Sequence, residues 1–292
     1  MSSSAVQETW SNLFDPGTPP STVSAYRLAL RYFFSSPQVA EVGAAQHVTD
    51  AIVRAWDDAA AEAGVTTATR RQRLAAIAHF YRRLRIYEPS QVNPTWGIKP
   101  PRLEKAPATT ALDRNQIKML LEAMPTETWL DIRDRAIFAT FYFTAIRASE
   151  LTGLNIGTIA DIGGTRCLLV QNSRRQVRRL AIGLQFSTIL DAYLDVHPYL
   201  DGPDTPLFPS KSGKRLLRQE TWSIITRRFK ELGIDGEGIS SHSFRAASLT
   251  NYLESGGDLR GAQQLAGHSS VNLTRRYDRE AHASIDVSLL RL

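Results

Sequence analysis

Three separated stretches hold the residue types that could do chemistry: TAIRASEL around Arg147, SSHSFRAASL around His242 and Arg245, and QLAGHSSVNLTRRYDR around His268 and Tyr277. Taken singly, each has an ordinary reading: an arginine ending an apolar helix snorkels or caps, a helical histidine is a satisfied core residue, and a helical tyrosine packs. Their joint pattern says more. On a helix His242 and Arg245 are three apart, so both project from one face and can grip a single anion. Gly267 stops one helix and Ser269 or Ser270 caps the next, which leaves His268 in the turn and Tyr277 about two turns further along. The set offers two guanidinium forks, two imidazoles and a phenol, with no carboxylate pair, no glycine-rich phosphate loop and no metal cluster. Transfer of a phosphodiester to a phenol, without metal or cofactor, is the chemistry that needs those groups.

The elements that must position them follow from pattern and punctuation. The chain has 292 residues, 42% of them hydrophobic and 22% charged, which is enough for two domains with cores of their own. Its single cysteine, Cys167, excludes an internal disulfide and a cysteine-built zinc or iron–sulfur site, and fits a reducing cytoplasm. Neither an export signal at the N-terminus nor a membrane-spanning apolar run is expected. A net charge of +6 makes nucleic acid the first partner to consider, with a solvated, salt-bridged surface as the plain alternative.

Asn93 to Thr110 carries four prolines and reads as an interdomain linker, dividing residues 1–105 from residues 106–292. Before it, apolar residues at three- and four-residue steps predict helices over Ser21–Phe34, Thr49–Ala63 and Thr66–Ile86. The last of these has Arg70, Arg71, Arg73, Arg82, Arg83 and Arg85 crowding its ends, suited to phosphate contact or to a solvated basic face. After the linker, helices are expected over Asp113–Met124, Leu130–Leu154, Gln185–Asp195, Gln219–Glu231, His242–Glu254, Leu259–Ala266 and Val271–Arg279. Two β-prone runs, Cys167–Val170 and Arg179–Leu184, flank an arginine-rich turn holding Arg174 and Arg175, and predict one hairpin. The fold class is therefore mainly α (α+β): an N-terminal helical bundle, then a mixed helical domain with a small antiparallel sheet.

In the order Arg, His-x-x-Arg, Gly-His, Tyr, the sequence resembles the tyrosine recombinase family of phage integrases, Xer recombinases and Cre. RDRAIFATFYFTAIRASELTGL resembles the first-arginine box, HSFR the His-x-x-Arg box, and LAGHSS with Tyr277 the Gly-His and nucleophile boxes. The N-terminal bundle resembles the core-binding domain, whose usual Asn-Pro ending is matched by Asn93 and Pro94. The resemblance implies a site-specific recombinase that clamps double-stranded DNA at inverted-repeat core sites, acting as a homo-tetramer on two sites, cytoplasmic and nucleoid-associated. It makes Tyr277 the nucleophile forming a 3′-phosphotyrosyl link, Arg147 and Arg245 the holders of the phosphate oxygens, His242 the proton acceptor or orienter, and His268 a further donor to the phosphate. Arg70, Arg71, Arg73, Arg82, Arg83, Arg174 and Arg175 are the candidate DNA-backbone contacts.

The sequence departs from the family at three places. The hairpin lacks the usual general-acid lysine, and Arg178, or else Arg179, stands nearest its position. Arginine gives up a proton far less readily than lysine, so either catalysis is slowed or this residue acts mainly as an electrostatic stabiliser. The common Thr-Gly-Leu before the first arginine is Thr144-Ala145-Ile146, and the histidine that often follows the second is Ala246. A topoisomerase-like relaxer or resolver, which cleaves and reseals without exchanging partners, is the runner-up reading, and the missing lysine keeps open a third, a catalytically silent DNA-binding protein. Residues 280–292 form an apolar tail too short for a core of its own, which the resemblance sends to a neighbouring subunit, with packing in cis on the same domain as the plain alternative.

Overall fold

The computed structural model describes residues 4–41, 44–103, 112–172 and 175–268. The chain divides into two compact units, Met1–Ala106 and Pro107–Leu292. In the first, five helices form a bundle: α1 (Ser4–Ser11), α2 (Pro20–Phe34), α3 (Pro37–Ala40), α4 (Asp50–Glu62) and α5 (Thr67–Tyr87). Thr49 and Thr66 cap α4 and α5 through their hydroxyls. Pro20, rather than Ser21, opens α2, where its missing N–H costs nothing. Leu30 and Phe33 of α2, Val53 and Trp56 of α4, and Leu74, Ile77, Phe80, Tyr81 and Leu84 of α5 make the core, with Phe33 edge-on to Trp56 at 5.1 Å.

The proline-rich segment begins as part of this bundle. Asn93 is buried; its amide donates to the Ala78 carbonyl at 3.2 Å and its oxygen accepts from the backbone and hydroxyl of Thr95. Arg71 donates to the Pro101 carbonyl at 2.8 Å, and Arg85 lies over the Trp96 ring at 4.6 Å.

In the second unit the described elements are α6 (Arg114–Ala123), α7 (Trp129–Thr144), α8 (Ala148–Leu151), β1 (Ile159–Ile162), β2 (Thr165–Gln171), β3 (Val177–Ala181), α9 (Leu184–Leu194), α10 (Arg218–Glu231), α11 (Ser241–Glu254) and α12 (Leu259–Ala266). The helix α7 is the axis of the core: Ala136, Ile137, Phe138, Ala139 and Phe141 are fully buried, and Phe138 meets Phe244 of α11 at 5.1 Å. An ionic cluster ties α7 to α10. The buried Asp134 carboxylate accepts from Arg133, Arg227 and Arg228, and Arg228 reaches on to Asp131 and Glu231. Each buried charge therefore has partners, the condition for carrying it in a core.

The sheet has three antiparallel strands in the order β1-β2-β3, one more than the hairpin predicted. Leu168 stands opposite Ile159 on one side and Leu180 on the other, and Val170 opposite Arg178. β1 is short and only partly buried, so its alternation is weak. The helix expected over Leu130–Leu154 is instead two helices, α7 and α8, broken at Ala145. Tyr277, the expected helix Val271–Arg279 and the tail 280–292 lie outside the described residues, as does Arg174.

Candidate active site

The break between α7 and α8 is what presents the first arginine. Ala145 ends α7 in the left-handed region at φ 48°, a conformation that favours glycine, at the position where the family usually has one. Arg147 then caps α8 with extended backbone, and Glu150, three residues on, accepts the Arg147 backbone N–H at 2.8 Å. The same carboxylate accepts Nη1 of Arg147 at 3.1 Å and both Nη atoms of Arg178 at 3.0 and 2.9 Å. Four donors thus saturate one buried carboxylate and hold two guanidiniums on it. Burial alone would raise the Glu150 pKa; the Arg178 hydrogen bond, the Arg147 N–H and both positive charges outweigh it and hold the carboxyl below its usual value of 4.5. Lowered in this way, Glu150 contributes stability that is present above pH 4.5 and lost as the pH falls through its folded value.

Strand alternation settles which hairpin arginine faces the site. Arg178 turns inward to Glu150, whereas Arg179 is exposed on the other face of β3. Arg147 keeps its outer edge open to solvent, its side chain 38% exposed.

Arg245 sits differently. It is 3% exposed on α11, and its Nη1 donates to the Ala145 carbonyl and its Nη2 to that of Ala266 at 2.6 Å. Those carbonyls end α7 and α12, so one guanidinium bolts together the turn before Arg147 and the turn before His268. His242 lies in the first turn of α11 and is exposed. Partial desolvation lowers its pKa below the ordinary 6.5, and the charges of Arg245, Arg218 and Arg147 push the same way, which favours the neutral imidazole that can accept a proton. His268 follows the left-handed Gly267 cap of α12; its N–H donates to the Gln263 carbonyl and its own carbonyl accepts from the Gln263 side chain.

Arg147 and Arg178 meet on Glu150 and His242 feels the charges of Arg147 and Arg245, so four of the expected residues come together from β3, α8 and α11, while His268 directly follows Gly267, which lies against Arg178. Two further residues join them that the sequence reading passes over. Glu150 was legible as an Arg-x-x-Glu spacing on one short helix; Arg218, at the start of α10, carried no local signal.

Residues 110–283 match the phage integrase family, and residues 13–86 match the phage integrase N-terminal SAM-like domain. The chain belongs to the phage integrase family. The chain is 32% identical over 272 residues to the tyrosine recombinase XerC of Pelobacter propionicus, covering 91% of this chain and 86% of that one. It is 31% identical over 275 residues to XerC of Herpetosiphon aurantiacus, covering 92% and 87%. Among solved structures, XerH bound to a palindromic difH substrate superposes with a TM-score of 0.70 at 18% identity, covering 87% of this chain and 75% of that one. A lambda integrase dimer on a core site gives 0.69 at 18% identity, covering 97% and 78%. The expected mainly helical fold with a small antiparallel sheet is the integrase-family fold, and the enzyme class read from the three motifs, a tyrosine-type site-specific recombinase, holds.

The arginines proposed to touch DNA in this family member divide in the structure. Arg70 is paired with Asp57 through Nε at 3.0 Å and Nη2 at 2.5 Å, and Arg83 reaches the Asn12 carbonyl and Asp15. Arg71 is spent on Pro101 and Arg73 stacks over Tyr32 at 5.1 Å. Arg82 is exposed, and so is Arg175, at φ 60° in the hairpin turn. No helix among the described residues is long and apolar enough to cross a membrane.

Proposed function

We propose that this recombinase cleaves and rejoins double-stranded DNA at inverted-repeat core sites, with Tyr277 as nucleophile and the Arg147–Glu150–Arg178 cluster, Arg245, His242 and His268 as its phosphate site. The observation that carries the reading is the grouping of Arg147 and Arg178 on the Glu150 carboxylate, with His242 within reach of the charges of Arg147 and Arg245. In the cleavage step the Tyr277 oxygen bonds to phosphorus and its phenolic proton passes to His242, while the bond to the 5′-oxygen breaks and that oxygen takes a proton from solvent to leave as a 5′-hydroxyl. The guanidiniums of Arg147 and Arg245 offset the charge that grows on the non-bridging oxygens. Arg178, fixed on Glu150, adds field rather than a proton, and rejoining reverses the sequence with a partner strand. The phosphotyrosyl ester conserves the energy of the broken bond, so exchange needs neither ATP nor metal.

Duplexes carrying two marked copies of a site, recovered from DNA that flanks the gene by footprinting, should give recombinant product in EDTA and without ATP. Relaxation of a supercoil with no exchange between sites would replace this reading with the topoisomerase-like one. The same proposal has the protein act in the cytoplasm, on the nucleoid.

Assembly as a tetramer on two sites is part of the same proposal. A pocket of about 690 Å³ in the second unit, with Ile117, Leu121, Phe143 and Ile189 as its apolar wall and Arg114 and Arg135 at hand, suits a segment like 280–292, which combines Ile285, Val287, Leu289 and Leu290 with Asp286. A chain truncated after Arg279 should bind a single site normally and lose synapsis and recombination, measured by gel shift and product formation. Undiminished recombination by the truncated chain would rule out docking in trans.

A further inference from the structure

The end of α12 lies against two arginines of the proposed site, Arg245 and Arg178. The Ala266 carbonyl accepts Nη2 of Arg245 at 2.6 Å. One residue on, a Cβ built on Gly267 would lie 2.7 Å from Nη1 of Arg178 and 3.3 Å from its Cζ. A contact that short forces something to move, and Arg178 has little freedom to do so. Its two Nη atoms are held on Glu150, and its buried Nε has no acceptor. The guanidinium is therefore lodged between the Glu150 carboxylate and the bare Cα of Gly267.

We propose that Gly267 is a positioning residue of the active site, whose missing side chain is the space that lets Arg178 lie on Glu150 and so leaves Arg147 turned outward. This rests on the assignment of Arg147 and Arg178 to the site. A methyl group at 267 would push Arg178 off the carboxylate, and Glu150, reduced from four donors to the two of Arg147, would draw that guanidinium inward, away from a phosphate. The left-handed cap at φ 60° is a separate reason for glycine, and it acts on the end of α12 whatever residue stands at 178.

A double-mutant cycle separates the two. Single-turnover cleavage of a nicked suicide duplex is measured for the wild-type chain, Gly267→Ala, Arg178→Ala and the double variant, with duplex affinity and thermal midpoint recorded alongside. Each single change should slow cleavage roughly tenfold or more, and the double variant should be no slower than Arg178→Ala within about twofold, a coupling of the size found between residues in contact. Gly267→Asn, which tolerates the left-handed backbone and adds the same Cβ, should behave alike and covers the case in which the alanine variant folds poorly. If the two losses multiply in the double variant, Gly267 acts on the helix end alone and the inference falls. If Arg178→Ala cleaves at the wild-type rate, the assignment of Arg178 to the site fails, and the inference with it.

Discussion

Tyr277→Phe is expected to bind its DNA site within about twofold of the wild-type affinity and to form no covalent protein–DNA product at all. The change removes one oxygen, the atom that bonds to phosphorus, and leaves the ring. A phenol with a reference pKa near 10 is a weak nucleophile at neutral pH and depends on nearby cations and a base to react. On the proposed reading the described part of the site supplies both, Arg147 and Arg245 as cations and His242, whose proton affinity they depress, as base. None of these can substitute for the missing oxygen, so the loss should exceed ~10⁴-fold, read as a denaturant-resistant band on a nicked suicide substrate. A residual band in the variant would move the nucleophile elsewhere, with the neighbouring hydroxyls of Ser269, Ser270 and Thr274 next to be tested.

Arg245→Ala should cost both catalysis and stability, which distinguishes it from a residue that only holds phosphate. Its guanidinium is buried and hydrogen-bonded to the carbonyls of Ala145 and Ala266. Removing it strands two buried acceptors, each costing about 1–3 kcal/mol, and leaves a cavity. In a unit of this size that corresponds to a fall in Tm of roughly 5–15 °C. Cleavage should fall by ~10³ or more, because the turns that carry Arg147 and His268 lose their common bolt in addition to the lost charge. Arg245→Lys should recover little, since an ammonium cannot reach two divergent carbonyls with a planar fork. An unchanged Tm with cleavage lost would show that the two carbonyl bonds contribute nothing to folding.

How much of this could be read from the residues depended on the range of the signal. Local signals read well: the threonine caps of α4 and α5 and the Gly267 stop of α12 each act within one turn. The break at Ala145 was hidden because the apolar run continues through TAIRASEL without Gly or Pro, and only tertiary bonds to its carbonyl show why a left-handed alanine is held there. Long-range ion pairs were equally silent. Arg70 reads as a free cation at a helix start, but Asp57, thirteen residues away on α4, takes both sides of its guanidinium. The choice between Arg178 and Arg179 turned on strand register, because neighbours on a strand face opposite sides and a one-residue slip would exchange them. Glu150 was overlooked for a chemical reason: a search for groups that react with phosphate passes over the anion that holds the cations in place.

The most direct test of the account is to trap the reaction on a suicide duplex, quench it in denaturant, digest the adduct and sequence the peptide that still carries phosphate. The account predicts a single modified residue, Tyr277, esterified to a 3′-phosphate, with a free 5′-hydroxyl on the released strand. An ester on any other residue, a 5′ linkage, or cleavage with no ester at all would contradict it.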